Sequence, residues 1–412
     1  MRRLVPALIL AMLLSVCAVP TAESMYAIPG RPRGFARLEA AMDAAMAGLT
    51  YAAPTAGEHR QTVQTADLDG DGAEEYLLFA KGNGAEPMRV LIFRAENGDY
   101  GLWRTLTCPG EEFTKVGYAS LDGLPGREIL LGMSNAGASG QQVRAYGFSG
   151  NAEELLTEFS CEDFTWLDLN GDAQAELLAL TEDTLYLYDW QNGRLRSEQT
   201  TPLSASKDRQ ILSGSLRDGT PALFLTGLDS QERMVTDVVF MADGVLNRHV
   251  QLLGSPKGQG TALYPRDLDG DGVEELPELV TVPKRAAGQG FVCWYDLDAT
   301  GQRRNKDCMY VDPEGRWEIL LGRDLIGRVT ASREGAETAF YLWDPADKTE
   351  TKILTVYAFT GTDREEQAGE SNRFVLLRTG GTTYCARLEV ASGRLELTQE
   401  GLITGFTGFS ET

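Results

Sequence analysis

An all-β fold built from repeated blades, a β-propeller, is the class this sequence predicts, and three observations carry it. Short apolar runs (YLLFA, RVLIF, LYLYDW, VVFMA, FVCWY, FYLW, YCARL) follow one another down the chain, separated by Gly, Asn and Asp. Several are joined by hairpin-tip pairs that supply positive φ: Asn97-Gly98, Gly150-Asn151, Asn192-Gly193, Asp243-Gly244, Thr300-Gly301 and Ser392-Gly393. Three related acidic loops begin at Asp67, Asp168 and Asp267, about 100 residues apart, with eroded cousins halfway between, SLDGLPGRE at 120–128 and SLRDGTPAL at 215–223. The underlying period is therefore about 50 residues, the length of a four-stranded propeller blade. Two β-sandwich domains would match the strand content but not the period.

The chain has 412 residues, 42% hydrophobic and 24% charged, an ordinary globular mix. Its formal charge of -22 repels phosphate backbones, which argues against nucleic acid, and leaves metal cations and basic partners as natural counterparts.

Residues 1–24 have the layout of an export signal: Arg2 and Arg3, then an apolar run from Leu4 to Val16 too short to span a bilayer. Leu14-Ser15-Val16-Cys17 resembles a bacterial lipobox, which implies lipidation of Cys17, although Val16 stands where a small residue is usual. Cleavage after Ala18 or Ser24 is the other reading. Either way the expectation is an extracytoplasmic protein, touching the membrane only through an N-terminal lipid or secreted outright. Residues 25–57 read as linker plus one amphipathic helix over 35–47, with Phe35, Leu38, Met42, Ala45 and Met46 on one face and Gly48 as the stop. Residues 58–412 read as the propeller. Hairpins near 88–106, 143–159, 184–199, 235–252, 291–310, 338–357 and 383–399 make seven blades the first count and six the second.

With Cys17 assigned to the anchor, five cysteines remain. Cys293 and Cys308 face each other across a hairpin, where a cross-strand disulfide is one reading; Cys108, Cys161 and Cys385 read as buried thiols.

The acidic loops are the most explicit chemistry. In the first, carboxylates of Asp67, Asp69, Asp71 and Glu75 with the Ala73 carbonyl stand at positions 1, 3, 5, 9 and 7 and can wrap one cation in oxygen. Ca²⁺ suits such a set because it takes six to eight hard oxygen ligands in forgiving geometry. The fifth loop repeats it with Asp267, Asp269, Asp271, the Val273 carbonyl and Glu275; the third offers Asp168, Asn170, Asp172, the Gln174 carbonyl and Glu176. The second loop, with Ser120 and Leu124 at ligand positions, and the fourth, with Arg217 and Leu223, are expected not to bind. The fifth loop formally matches an EF-hand through Glu278, but Pro265 and Pro277 deny it flanking helices.

A strand, then D-L-[DN]-G-D-x-x-x-E, then another strand resembles the VCBS and FG-GAP repeats. That resemblance implies a seven-bladed propeller like the head of integrin α chains, with Ca²⁺ in loops linking strands within a blade. The N-terminal Cys with this repeat also resembles exported lipoproteins of Gram-positive anaerobes.

Catalytic signatures are scarce. The only histidines are His59 and His249, and neither a G-x-S-x-G elbow nor a phosphate-binding glycine loop occurs. GASGQ at 137–141 reads as a hairpin tip. Glu111-Glu112 and Glu365-Glu366 read as solvated surface, and Trp166, Trp190, Trp294 and Trp343 as core. The expected function is a monomeric, non-enzymatic binding module for an extracellular protein or glycan, stabilised by Ca²⁺. A carbohydrate-active enzyme or a docking subunit of an envelope assembly are the alternatives.

Overall fold

The computed structural model describes residues 33–409 apart from 97–98, 136, 150–151, 255–262, 281–289, 371, 390–394 and 396. The signal segment with Cys17, and the tips at 97–98, 150–151 and 392–393, lie outside the described residues.

The fold is all-β and propeller-like: helix α1 (Arg33–Ala45) precedes six antiparallel sheets of four or five strands. The first sheet comprises β1 (Thr50–Tyr51), β2 (Val63–Ala66), β3 (Glu75–Lys81), β4 (Met88–Glu96) and β5 (Asp99–Cys108). The second holds β6 (Glu112–Ala119), β7 (Glu128–Ser134), β8 (Gln141–Ser149) and β9 (Ala152–Cys161), and the third β10 (Asp163–Leu167), β11 (Glu176–Leu180), β12 (Thr184–Gln191) and β13 (Arg194–Pro202). In the fourth, β14 (Lys207–Ser215), β15 (Pro221–Leu228), β16 (Met234–Ala242) and β17 (Val245–Gly254) pair in chain order. The fifth runs β18 (Leu276–Leu279), β19 (Phe291–Leu297), β20 (Arg303–Val311) and β21 (Trp317–Leu320). The sixth adds β22 (Val329–Glu334), β23 (Glu337–Asp344), β24 (Thr349–Thr360), β25 (Phe374–Arg378) and β26 (Thr382–Leu388).

Six sheets among the described residues match the second blade count rather than the first. The segment counted as a seventh blade does not stand alone, because β26 pairs with the long β24, from Leu354↔Leu388 to Thr360↔Thr382. Twelve residues of β24 give β23 one edge and β26 the other, so two sequence hairpins merge into one sheet. The chain then ends in short strand β27 (Phe406–Gly408), which pairs with β21.

The chain divides into two compact units, one to Val116 together with Met133–Ala136 and one holding the rest. In the first, α1 covers its sheet: Leu38 is buried against Leu78, Leu91 and Phe93, with Met42, Ala45 and Met46 packed alongside. The side chain of Phe35 lies outside the described residues. Gly48 at φ 77 ends the helix, as its place in the sequence predicts.

In the second unit, successive sheets share cores. Leu130, Val143 and Ala145 pack on Phe164 and Leu177; Leu178 and Leu187 on Leu223 and Val239; Phe224 and Val238 on Leu276 and Tyr295. Phe291, Tyr310 and Trp317 then meet Phe340, Tyr384 and Phe406. Such stacking buries both faces of inner strands, which explains runs like LLAL of β11, buried at every residue, where one-sided burial would alternate. Outer strands face solvent and read polar, as in RLRSEQTTP of β13.

Two hairpin tips predicted to need positive φ adopt it: Asn192 and Gly193 at 51 and 81, Asp243 and Gly244 at 53 and 72. A second repeated feature is invisible in the sequence. In five sheets one hairpin (β4–β5, β8–β9, β12–β13, β19–β20 and β23–β24) carries one extra residue on its second strand: Trp103, Leu156, Glu198, Lys306 and Ile353. A bulge of this kind bends its strand and re-aims the extra side chain. It also sets Cys293 directly opposite Cys308; both are buried thiols not joined in a disulfide, and Cys108, Cys161 and Cys385 are buried thiols as well. Among the described residues no helix is long and apolar enough to cross a membrane.

Candidate metal-binding loops

The first acidic loop joins β2 to β3, the third joins β10 to β11, and the fifth runs from Arg266, bridged to Glu275, into β18; each backbone is organised by the loop's own side chains. In the first loop, Asp67 accepts hydrogen bonds from the backbone N–H of Gly70 (2.7 Å) and Gly72 (3.0 Å), and Asp71 accepts from Ala73 (2.7 Å). The fifth loop repeats the pattern, with Asp267 taking Gly270 (2.7 Å) and Gly272 (2.9 Å) and Asp271 taking Val273 (3.0 Å). In the third, Asp168 takes Gly171 (2.6 Å) and Ala173 (2.9 Å), and Asp172 takes Gln174 (2.8 Å). The turn needs left-handed backbone at its sixth residue. Gly72 and Gly272 supply it at φ 86 and 82, and Ala173 is forced to φ 69.

The ninth residue closes the loop. A carboxylate oxygen of Glu75 accepts the N–H of Leu68 at 2.8 Å, and Glu176 with Leu169 (2.7 Å) and Glu275 with Leu268 (2.8 Å) do the same. The second loop makes this bond too, Glu128 with Leu121 at 2.6 Å, although Ser120 and Leu124 replace two of its ligands. The glutamate is therefore a fold-closing clasp first, and it survives where no metal set exists. Its burial has a cost: desolvation pushes the carboxyls of Glu75, Glu128 and Glu176 up to about 7 against the helping N–H bond, and raises that of Glu275 as well.

What fills the cup differs from loop to loop. Oxygens of Asp67, Asp69 and Asp71 converge within 4.8 Å of one another, as do those of Asp267, Asp269 and Asp271. In the first loop, Glu75 is fully buried and its Oε1, facing those three aspartates, has no hydrogen-bond partner. Of the loop's carboxylates, Arg94, stacked 4.8 Å over the Trp103 ring, reaches Asp69 alone, at 3.2 Å, and its other nitrogen pairs with Glu96. A buried carboxylate oxygen without a donor is costly, and a divalent cation supplies what it lacks. The residues of this loop fit Ca²⁺: each carboxylate oxygen that accepts an N–H keeps a second lone pair for a metal.

In the fifth loop the ammonium of Lys306 stands among the same oxygens, 2.8 Å from Asp269, 2.9 Å from Asp271 and 3.4 Å from Glu275 Oε1. In the third, the Asn170 amide donates to Glu176 Oε1 at 2.7 Å and to Asp172 at 3.1 Å, so a neutral donor closes that cup. The fourth loop has a different solution. Arg217, at the third position, reaches away to the fully buried Asp296 (2.9 Å) and to Asp298 on the β19–β20 hairpin. Neighbouring loops are tied by one recurring backbone bond, Ala175 N–H to the Ser120 carbonyl (2.7 Å) and Glu274 N–H to the Ser215 carbonyl (3.1 Å).

The fifteen predicted ligand positions fall five to a turn, with Glu75 and Glu176 as the first residues of β3 and β11 and Glu275 bridged to Arg266 just before β18. Lys306 and Arg94 were not legible as partners, since each arrives from a strand outside the loop it meets, and Arg217 finds its own partners, Asp296 and Asp298, about 80 residues away. The Glu128 clasp had one sequence signal, a glutamate kept nine positions into an otherwise eroded loop.

The residues considered for catalysis are occupied elsewhere. Glu112 accepts from Ser134 at 2.8 Å, and Glu365 from Thr383 and Arg378. Trp294 and Trp343 are buried, and Trp166 and Trp190 pack against the core between the second and third sheets.

No protein-family model and no curated protein matches the chain. Among solved structures it is similar to a protein from Lactobacillus plantarum at 10% identity, covering 74% of this chain and 95% of that one, with a TM-score of 0.35. The exotype rhamnogalacturonan lyase YesX is similar at 15% identity over 68% of this chain and 65% of its own, TM-score 0.31. A putative 6-phosphogluconolactonase from Bacteroides uniformis is similar at 14% identity over 72% and 83%, TM-score 0.29.

Proposed function

We propose that this chain is an exported, non-enzymatic binding module of the VCBS/FG-GAP type, anchored through Cys17 and stabilised by Ca²⁺. The observation that carries the calcium reading is the buried, unpartnered Glu75 Oε1 facing Asp67, Asp69 and Asp71. Asp67, Asp69, Asp71, Glu75 and the Ala73 carbonyl would hold the ion, and its charge would offset three crowded carboxylates and one buried one. The third and fifth loops offer the same kind of oxygen set, but each already contains a hydrogen-bond donor, so the first loop is where an ion is needed most.

The ion's part is structural. A site with ~10⁻⁴ M affinity in a millimolar medium gains roughly 1.4 kcal/mol, a useful fraction of a net stability of about 5–15 kcal/mol. The binding partner is an extracellular protein or glycan, and the loops are given no part in holding it. Melting the full chain with and without EDTA tests the first half: EDTA should lower the melting temperature and Ca²⁺ restore it, whereas an unchanged curve ends the calcium reading. Retention of cell-wall proteins or glycans without released product tests the second half, and turnover of a glycan would overturn it.

A further inference from the structure

The first and fifth loops are nearly the same sequence, DLDGDGAEE and DLDGDGVEE, yet only the fifth has a lysine inside it. Lys306 is the extra residue of the β20 bulge, between Asn305, which pairs with Tyr295, and Asp307, which pairs with Trp294. The corresponding residues of the other bulges are Trp103, Leu156, Glu198 and Ile353, so a cation there is peculiar to this sheet. The lysine side chain is only 15% exposed, and its Nζ touches three of the five predicted ligands. Glu275 is fully buried and its Oε1 has no hydrogen-bond partner of its own, lying 3.4 Å from that ammonium. The nearby guanidinium of Arg304 is committed to Asp296, so it does not compete for the cup.

We propose that Lys306 is the tethered cation of the fifth loop, and that a divalent ion enters this loop only by displacing it. An ammonium carries one charge and three donors; it stands 2.8 and 2.9 Å from Asp269 and Asp271 and leaves Glu275 Oε1 at 3.4 Å, whereas Ca²⁺ gathers six or more oxygen ligands. The loop is thereby held closed with no ion from the medium, and the lysine acts as a built-in competitor. This rests on the calcium reading only for the identity of the competing ion.

The test counts ⁴⁵Ca²⁺ bound per full chain by equilibrium dialysis, for the natural chain and for Lys306→Met, both also carrying Asp69→Asn and Asp71→Asn to silence the first loop. Removing the lysine should add one ion per chain, or tighten fifth-loop binding about tenfold where some exists. Equal binding with and without the lysine overturns the proposal. Because the comparison is made with the first loop silenced, a failure of the first-loop reading leaves this difference intact. If Lys306→Met is poorly folded in EDTA, its melting temperature provides the second readout. Recovery in millimolar Ca²⁺, lost again when Asp271→Asn is added, supports a freed ion site; no recovery overturns it.

Discussion

The loops at 67–75 and 267–275 differ at one residue in nine, Ala73 against Val273, and share the hydrogen bonds that shape the turn, differing in that the Asp71 N–H goes to Asp69 and the Asp271 N–H to Asp267. Their electrostatic states nevertheless differ. The first leaves Glu75 Oε1 facing three aspartates with Arg94 at their rim, while the fifth has Lys306 in their midst. The loop sequence therefore sets the shape of the cup, and the bulge residue two strands away decides what occupies it. A motif scan limited to nine residues would score the two alike.

The comparison can be broken or sharpened at several points. The largest expected effect concerns the second loop, which keeps the clasp but has neither aspartate triad nor lysine. Burial pushes Glu128 up to about 7, above its ordinary 4.5, so the folded chain binds a proton there that the unfolded chain releases. Its favourable contribution is complete below about pH 4.5 and is lost as pH rises through 7, a swing of up to about 3 kcal/mol. In Glu128→Gln, urea melts at pH 5 and pH 7.5 should differ less than in the natural chain, with or without Ca²⁺; a Ca²⁺-dependent change would show that this loop does hold an ion.

Next comes the removal of one aspartate from each matched loop. Asp71→Asn should abolish about 1.4 kcal/mol of Ca²⁺-dependent stability, measured as the gap between urea melts in Ca²⁺ and EDTA. Asp271→Asn should leave that gap unchanged, because Lys306 supplies the cation there. Equal loss from both variants would erase the distinction between the loops.

The smallest effect separates backbone from charge. Ala173 holds at φ 69 the turn that Gly72 and Gly272 make freely. Ala173→Gly should stabilise by up to about 1 kcal/mol, and Gly72→Ala should cost a similar amount. Nothing lies within 4 Å of a Cβ built on Gly72, so the cost is conformational and should be the same in EDTA and Ca²⁺.

Much of this was legible in the sequence because it is local. Asn192-Gly193 and Asp243-Gly244 turn where their φ requirements say, and the helix face of Leu38, Met42 and Met46 is the face that packs. The acidic alternation likewise fixes the loops, since each hydrogen bond spans seven residues or fewer. What was not legible is non-local. The merger of β24 with β26 depends on an edge left open by a twelve-residue strand, which no periodicity announces. The Lys306 bulge depends on register across a hairpin, and the Arg217 contacts join residues about 80 apart in the chain.

The most direct measurement is a crystal structure of the full chain grown in millimolar Ca²⁺, with the ion located by anomalous scattering. The expected result is an ion bound by Asp67, Asp69, Asp71, Glu75 and the Ala73 carbonyl, with Lys306 Nζ still hydrogen-bonded to Asp269 and Asp271. A first loop without an ion at that concentration, its aspartates ordered as they are here, would contradict the central claim.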